Sequence, residues 1–493
     1  MAALTEAKGT PAAEVFDVLI VGAGISGVNC AYRIQSTLPN ATFTVLENRD
    51  SVGGTWDLFR YPGIRSDSDL FTYSFAFEPW QYETPIAEGP LIKQYMKDCV
   101  AKYDLGRHIR FRHKVTNADW SSLTEQWTLT VEHEGQTKYF KANWLILGTG
   151  YYDYETPFKA AIPGIENFKG KVIHPQHWPE KYDHSGKRMA VIGSGATAIT
   201  LVPALSQTAA AVTMVQRSPT YIVGMANGAP KRSWLLRLLP RFIGGLYKRL
   251  SYLLSAWISV TWCKNNPLKA RKLLLKEAKK ILPARVSTSP HFEPTYNPWD
   301  QRLCLCPDND FFMSFHNPST NVVTGTIESV TEDTINMKDG SKIEKLDAIV
   351  TATGLNMRLG GHVAITVNGE KTDFAGRLMW NGCMIEGVPN MIYVFGYTNA
   401  SWSLGADDTA HVFLRLTKYM KKRGATTAIP RAPKEGVDGR QRLWQLSSTY
   451  SLESAGRLPQ YGNVGPWRPR TSPPFDWLHA RLGDIVTDLH FSA

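Results

Sequence analysis

The stretch that decides the fold is Asp17-Val18-Leu19-Ile20-Val21-Gly22-Ala23-Gly24-Ile25-Ser26-Gly27. An apolar run of strand length ends in a glycine turn and passes at once into a helical stretch from Ile25. A second strand, Thr42 to Leu46, follows and delivers Glu47, twenty residues after Gly27. Strand, glycine turn, helix, strand and acid in this order make a dinucleotide-binding unit; the glycines alone would be weak evidence. Gly22 makes the tight turn, Gly24 lets the backbone approach a pyrophosphate, and Gly27 lets the helix pack on the sheet. The helix amino terminus faces the phosphates, and Glu47 is placed to accept the ribose hydroxyls.

The same unit recurs with one telling change. Arg188 to Ile192 reads as a strand, Gly193-x-Gly195-x-x-Ala198 as its turn with Thr197 inside it, and Ala211 to Val215 as the next strand. Where the first unit carries Glu47, the second carries Arg217. A guanidinium there pairs with a 2′-phosphate that a carboxylate would repel, so the second nucleotide is read as NADPH. Two different dinucleotides on one polypeptide point to electron transfer between them. Trp144 to Gly150 and Asp347 to Gly354 are apolar strands ending in glycine, where the chain would cross between the two lobes. Further strands are expected at Thr366 to Val367 and Met391 to Phe395, and a helix over Ala410 to Tyr419 capped by Asp407-Asp408. A Pro/Gly-rich tail from Pro459 to Pro474 reads as a surface wrap or lid.

At 493 residues the chain exceeds one hydrophobic core, so two or three domains are expected. Its 43% hydrophobic and 20% charged residues are an ordinary soluble composition, and 55 Trp, Tyr and Phe residues suit pockets for flat, apolar ligands. Residues 1–14 have neither the basic start nor the apolar run of a signal peptide, and no run of spanning length is apolar throughout. The six cysteines lack paired spacing, and Cys304-x-Cys306 has no second ligand pair, so they read as reduced thiols in a cytoplasmic protein without a metal. The net charge of +11 is partly local: between Lys231 and Lys280 lie 13 Lys or Arg against the single Glu277. Trp234, Leu235, Leu236, Phe242, Tyr247, Tyr252, Trp257 and Trp262 are interleaved with them. The leading reading is a helical subdomain with apolar faces packed inward and a solvated basic face; peripheral contact with an anionic membrane comes second. Nucleic acid has little claim.

A more specific signal lies in Gly53-Gly54-Thr55-Trp56-Asp57-Leu58-Phe59-Arg60-Tyr61-Pro62-Gly63-Ile64-Arg65-Ser66-Asp67. It resembles the long fingerprint of Baeyer–Villiger monooxygenases, the class B flavoprotein monooxygenases. Phe168-x-Gly170-x-x-x-His174-x-x-x-Trp178-Pro179 is similar to their shorter fingerprint, in the expected place before the second glycine loop. Within that family the chain is most similar to the subgroup of ethionamide-activating monooxygenases. The flavin-containing monooxygenases, which oxidise soft nitrogen and sulfur, usually share the Phe-Gly-His part but not the long segment ending at Asp67.

The resemblance implies an α/β protein of two Rossmann-like dinucleotide-binding domains with a helical insertion. It divides the chain into an FAD domain (1–155 and 355–493), an NADPH domain (156–222 and 308–354) and an insertion (223–307). It implies FAD on Gly22, Gly24, Gly27 and Glu47 with Trp56 near the isoalloxazine, and NADPH on Gly193, Gly195, Thr197 and Arg217. It further implies oxidation of ketones to esters or lactones by O2 through a C4a-peroxyflavin, with sulfides as additional substrates; oxidation mainly of nitrogen and sulfur nucleophiles is the alternative. Arg302, in Trp299-Asp300-Gln301-Arg302, matches the family's catalytic arginine, and Asp67 the carboxylate that holds it. Asp69 stands two residues away as the other candidate. His174 matches a histidine that couples domain movement to catalysis. Gln301 departs from the ketone specialists, which carry lysine there to hold the 2′-phosphate, and this shifts NADPH preference onto Arg217.

Overall fold

A computed structural model describes residues 13–228, 241–433, 437 and 439–492. Its architecture is two sheets with helices packed on them. The larger sheet has nine strands. Its parallel part places Glu14–Val21 between Phe43–Leu46 and the end of Gln136–Leu147, with Ile109–Arg110 beyond the former and Met391–Tyr393 beyond the latter. The first half of Gln136–Leu147 turns antiparallel to Gln126–His133, which pairs in turn with Lys114–Ser121. One twelve-residue strand thus serves both parts. The residues Leu19, Ile20, Leu145, Ile146, Leu147, Met391 and Ile392 are wholly buried, as a sheet covered on both faces requires.

The smaller sheet is parallel throughout, in the order Thr320–Thr324, Ala211–Gln216, Arg188–Ile192, Ala348–Thr351, Lys171–Ile173. The chain therefore returns to the larger sheet after 351, at Ala364–Val367 and Met391–Tyr393. In both sheets the strand leading into the glycine loop sits where the winding reverses, and there the carboxyl ends of the strands leave a crevice.

The residues between 222 and 307 form helices Arg241–Asn265 and Pro267–Ile281, flanked by paired strands Ile222–Met225 and Cys304–Pro307. The expected burial of this block is corrected. Leu250, Leu254 and Ile258 face outward, whereas Arg249 points inward and donates to the carbonyls of Phe71 (3.2 Å) and Ser74 (2.8 Å). Those carbonyls end the short helix Leu70–Tyr73 and lack helical partners, which is why a cation is accommodated there. Trp234, Leu235 and Leu236 lie outside the described residues.

The helix expected over Ala410 to Tyr419 runs from Trp402 to Arg423. Asp407 and Asp408 accordingly lie inside it and are not its cap. Both are buried: Asp407 is paired with Arg33 (2.8 Å) and Arg481 (3.0 Å), and Asp408 with Arg481 (3.1 Å). Arg33 belongs to the first helix, Ile25–Thr37, and Arg481 to Pro473–Leu482, so the pair joins the two ends of the chain. Part of the expected surface tail is core: Trp467 is fully buried.

Candidate active site

Gly22 ends the first strand at φ +99°, and a Cβ there would lie 2.9 Å from the carbonyl oxygen of Gly148. Gly27 is tighter still, with a Cβ placed 1.8 Å from the Gly22 carbonyl oxygen. Helix Ile25–Thr37 is thereby held directly against the turn, with no residue of its first turn carrying an acidic group. Glu47 lies buried beside the loop. Its Oε2 accepts the Ala23 N–H at 2.6 Å and its Oε1 accepts the Arg49 N–H at 2.9 Å. Burial raises its pKa, and the two N–H groups oppose that rise. Gly22, Gly24, Glu47, Gly54 and Gly148 line a cavity of about 130 Å³, with Tyr154 in its wall.

The second loop has the same turn in more open surroundings. Gly193 is at φ +141°, and a Cβ would come 2.1 Å from the Ala352 carbonyl oxygen, whereas nothing lies within 4 Å of one at Gly195. Gly193, Gly195, Thr197, Arg217 and Gln301 line a cavity of about 1170 Å³. Arg217 follows strand Ala211–Gln216, is exposed, and donates to Thr449 Oγ1 at 2.9 Å.

The long fingerprint joins the two halves. Gly54 packs against Gly24, its Cβ position being 3.1 Å from the Gly24 Cα. Phe59 and Tyr61 enter the core of the smaller sheet with Ala198 and Val202. Gly63, at φ +73°, fits against helix Ala196–Leu205, where a Cβ would sit 2.8 Å from that of Ala204. Arg65 pairs with Asp310. Trp56 is half-buried and donates to the Tyr73 hydroxyl at 2.9 Å. Its neighbour Asp57, which sequence reasoning passed over, is almost wholly buried and receives Arg49 and Lys93, each at 2.5 Å. Burial would raise its pKa, but the two cations lower it below the ordinary value.

At the end of this segment Asp67 meets Arg302. The guanidinium presents Nη2 to Oδ1 at 2.9 Å and Nε to Oδ2 at 2.9 Å, a two-pronged pair that fixes the plane of the cation. Burial acts against the charge on Arg302, but Asp67 and the oxygens of Tyr151, Tyr152 and Tyr450 raise its pKa further, so the group stays cationic. Asp69 is occupied elsewhere: it accepts the Thr72 N–H (2.8 Å) and hydroxyl (2.7 Å) as the cap of helix Leu70–Tyr73. The pair therefore forms with Asp67. Near it, Trp299 is held at φ +75°, an uncommon conformation for a bulky residue.

Arg302 and Asp67 line two cavities at once. One is the 1170 Å³ cavity over the second loop; the other, of about 910 Å³, is walled by Ile222, Tyr252, Val260, Trp262, Leu274 and Trp299. Thr471, Ser472 and Pro473 reach into the second cavity, so the tail closes one of its sides. The cluster of Tyr151, Tyr152 and Tyr450 around Arg302 was not legible beforehand. Tyr151 and Tyr152 are neighbours, but Tyr450 lies about three hundred residues on, and nothing in their spacing joins the two stretches.

His174 is not in the Arg302 site. It precedes the turn Pro175–His177, accepts the Gln176 N–H on Nδ1 at 3.2 Å, and has its pKa pushed down to about 4 by burial and the neighbouring His177. Trp178 is buried in the core of the smaller sheet. Cys304 and Cys306 are buried free thiols, and among the described residues no group of His, Cys, Asp or Glu has the arrangement of a metal site.

Comparison with known proteins agrees with this geometry. Residues 16–285 match the family described as flavin-binding monooxygenase-like. The FAD-containing monooxygenase EthA of Mycolicibacterium smegmatis is 41% identical over 481 residues, 97% of each chain. EthA of Mycobacterium tuberculosis is 43% identical over 456 residues, 92% of this chain and 93% of its own. An oxidised steroid monooxygenase bound to NADP superposes with a TM-score of 0.75 at 20% identity, covering 97% of this chain and 99% of its own. The open structure of cyclohexanone monooxygenase gives 0.73 at 18% identity, covering 97% and 100%. By sequence over nearly its whole length, the chain belongs to the flavin-binding monooxygenase-like family.

Proposed function

We propose that the protein is an FAD- and NADPH-dependent Baeyer–Villiger monooxygenase that converts hydrophobic ketones to esters or lactones and also oxidises sulfides. The observation that carries this reading is the Arg302–Asp67 pair at the meeting of the dinucleotide cavity and the apolar cavity. The overall reaction consumes ketone, O2, NADPH and a proton, and yields ester, NADP⁺ and water.

The residues present fit the two dinucleotides. At Gly22, Gly27 and Gly193 the backbone approaches so closely that any side chain would collide. Gly22, Gly24 and Gly27 would hold the FAD pyrophosphate against the helix amino terminus, with Glu47 toward the ribose and Trp56 on the ring side. Gly193, Gly195 and Thr197 would hold NADPH, with Arg217 on the 2′-phosphate. Bound FAD supplies the redox chemistry, taking hydride from NADPH and activating O2.

Arg302 supplies a cation that never acts as an acid under ordinary conditions, and so stabilises developing negative charge without delivering a proton to it. Asp67 fixes the guanidinium plane by its two hydrogen bonds and keeps the charge in place. Apolar walls such as Val260 and Leu274 receive the substrate and exclude water. His174, neutral in its buried position, would transmit movement of the smaller sheet to the site.

The division into an FAD domain (1–155 and 355–493), an NADPH domain (156–222 and 308–354) and an insertion (223–307) is part of this proposal. Its support is that residues 14–147 and 364–393 share one sheet while 171–216 and 320–351 share the other. The test is NADPH consumption by the FAD-loaded enzyme in air, with linear ketones, cyclic ketones and an aryl methyl sulfide, quantifying products and H2O2 together. Ester or lactone formed in step with NADPH, and lost in Arg302→Ala, is the expected result. Sulfoxide without any ester would overturn the Baeyer–Villiger assignment in favour of nitrogen and sulfur oxidation.

A further inference from the structure

The helix Arg241–Asn265 carries two unlike faces. Tyr252, Ala256, Ser259, Val260 and Cys263, spaced by three or four residues, line the 910 Å³ cavity. On the opposite side Ile243, Leu246, Leu250, Leu254 and Ile258 follow the same spacing and are open to solvent, Leu250 at 67%, Leu254 at 50% and Ile258 at 54%. At 1.5 Å per residue this stripe is about 22 Å long. Scattered apolar side chains on a surface are ordinary; a continuous row along one helix face marks a contact surface.

The adjoining helix Pro267–Ile281 supplies the second observation. Lys269, Lys272, Lys276 and Lys280 recur at three or four residues on an exposed face, and the only acid of the helix, Glu277, is paired with Lys280 at 2.6 Å. Among the described residues no helix is long and apolar enough to cross a membrane. An exposed apolar row on one helix and an exposed lysine row on the next are the elements of a helix pair that lies in a bilayer interface. The lysines decide the partner. A second copy of this chain would bring the same positive face and be repelled, whereas anionic headgroups would be attracted.

We propose that these two helices seat the protein on an anionic phospholipid bilayer. Ala256 and Ser259 line the cavity and are themselves exposed, so the cavity opens beside the docking helix. A hydrophobic substrate dissolved in the bilayer then reaches the apolar cavity without crossing water. That consequence rests on the proposed reaction; the docking does not, and it is read without turnover.

The experiment is flotation of the full-length FAD-loaded protein with two vesicle preparations. One is phosphatidylcholine alone; the other contains about one third phosphatidylglycerol. The protein is expected to float at least about tenfold more with the anionic vesicles, and less as salt rises. The triple variant Leu250→Asp, Leu254→Asp, Ile258→Asp is expected to stay with the unbound fraction while keeping a thermal midpoint close to wild type. Lys269→Glu with Lys272→Glu and Lys276→Glu is expected to remove the preference for anionic vesicles, whose apolar contact stays available. Wild-type protein that floats with neither preparation overturns the proposal. So does flotation unchanged by the triple variant, or a lipid-free dimer that the triple variant splits.

Discussion

The two glycine loops share a turn and differ in everything around it. At each, a strand ends in a positive-φ glycine whose missing Cβ admits a carbonyl from the neighbouring strand end, Gly148 at the first and Ala352 at the second. The first is tightly packed: Glu47 is buried, its oxygens take up backbone N–H groups, and the cavity measures about 130 Å³. The second is roomier: among the described residues nothing lies within 4 Å of a Cβ at Gly195, Arg217 is exposed, and the cavity measures about 1170 Å³. The glycine pattern therefore specifies backbone geometry alone. The residue after the second strand, acid or guanidinium, sets which charge the site accepts.

The largest effect should come from equal substitutions at unequal glycines. Gly27→Ala places a methyl group 1.8 Å from the Gly22 carbonyl oxygen. The helix must move off the turn, at a cost of order 4 kcal/mol or more. Little soluble protein, or protein without FAD, is expected on purification, read by its visible absorbance. Gly195→Ala meets no atom within 4 Å and should fold normally, raising only the KM for NADPH. The second loop already carries Ala198 where the first has Gly27, so equal damage at Gly27 and Gly195 would mean that the helix does not need the close approach seen at Gly27.

Arg302→Ala is next. Arg302 lies between the two cavities, so its removal should separate what the halves do individually from what they do together. Loss of a preorganised charged donor costs about 10²- to 10³-fold in rate. Ester formation is expected to fall by that factor, while binding of NADPH, followed by quenching of its fluorescence or by equilibrium dialysis, changes far less. Arg302→Lys should recover little, because an ammonium cannot make the two parallel bonds to Asp67. Wild-type ester formation in either variant would remove Arg302 from the reaction.

How much of this was legible depended on how local each requirement is. Gly22, Gly27 and Gly193 answer to contacts within one strand–turn–helix unit, and their spacing revealed the fold directly. The Arg302–Asp67 pair spans 235 positions and could be found only through the resemblance of the two fingerprints. Asp407 and Asp408 were misread because Ser-Leu-Gly before them resembles a loop, yet Gly405 packs within the helix against Phe395 and Arg470. There a tertiary contact overrides the low helix propensity of glycine. The insertion was misread for a different reason. Periodicity showed that Arg241–Asn265 has an apolar side but not which way it turns, and the buried partner of Phe71 and Ser74 is the charged Arg249.

Arg217→Ala tests the second loop by charge alone. Exposed on a strand end and, among the described residues, bonded to Thr449 alone, the guanidinium can exchange that hydroxyl for a phosphate. Its loss should raise the KM for NADPH about tenfold, or about 1.4 kcal/mol, and leave that for NADH nearly unchanged. In wild type the preference should shrink as salt rises, whereas in the variant, with only the neutral Gln301 beside the loop, salt should change it little. An equal loss for both cofactors would place Arg217 away from the 2′-phosphate.

The smallest effect concerns the connection that leads into the second half. His174 has a pKa of about 4 in the folded protein because burial and His177 disfavour its charge, against 6.5 for the free side chain. Between those values the unfolded chain binds the proton and the folded one does not. Stability is therefore full above 6.5 and declines as pH falls toward 4. After allowance for partial exposure, this is about 1 kcal/mol at the acid end of the window. In His174→Gln the thermal midpoint should fall less between pH 6.5 and 4.5 than in wild type. His177→Gln removes the secondary cause of the shift and leaves burial in place, so it should fall between wild type and His174→Gln. The first half supplies the contrast: if Gly27 governs folding of the first unit and His174 the acid sensitivity of the second, FAD absorbance and far-UV signal should part company on acidification. A single transition, unchanged in His174→Gln, would mean that both halves open as one.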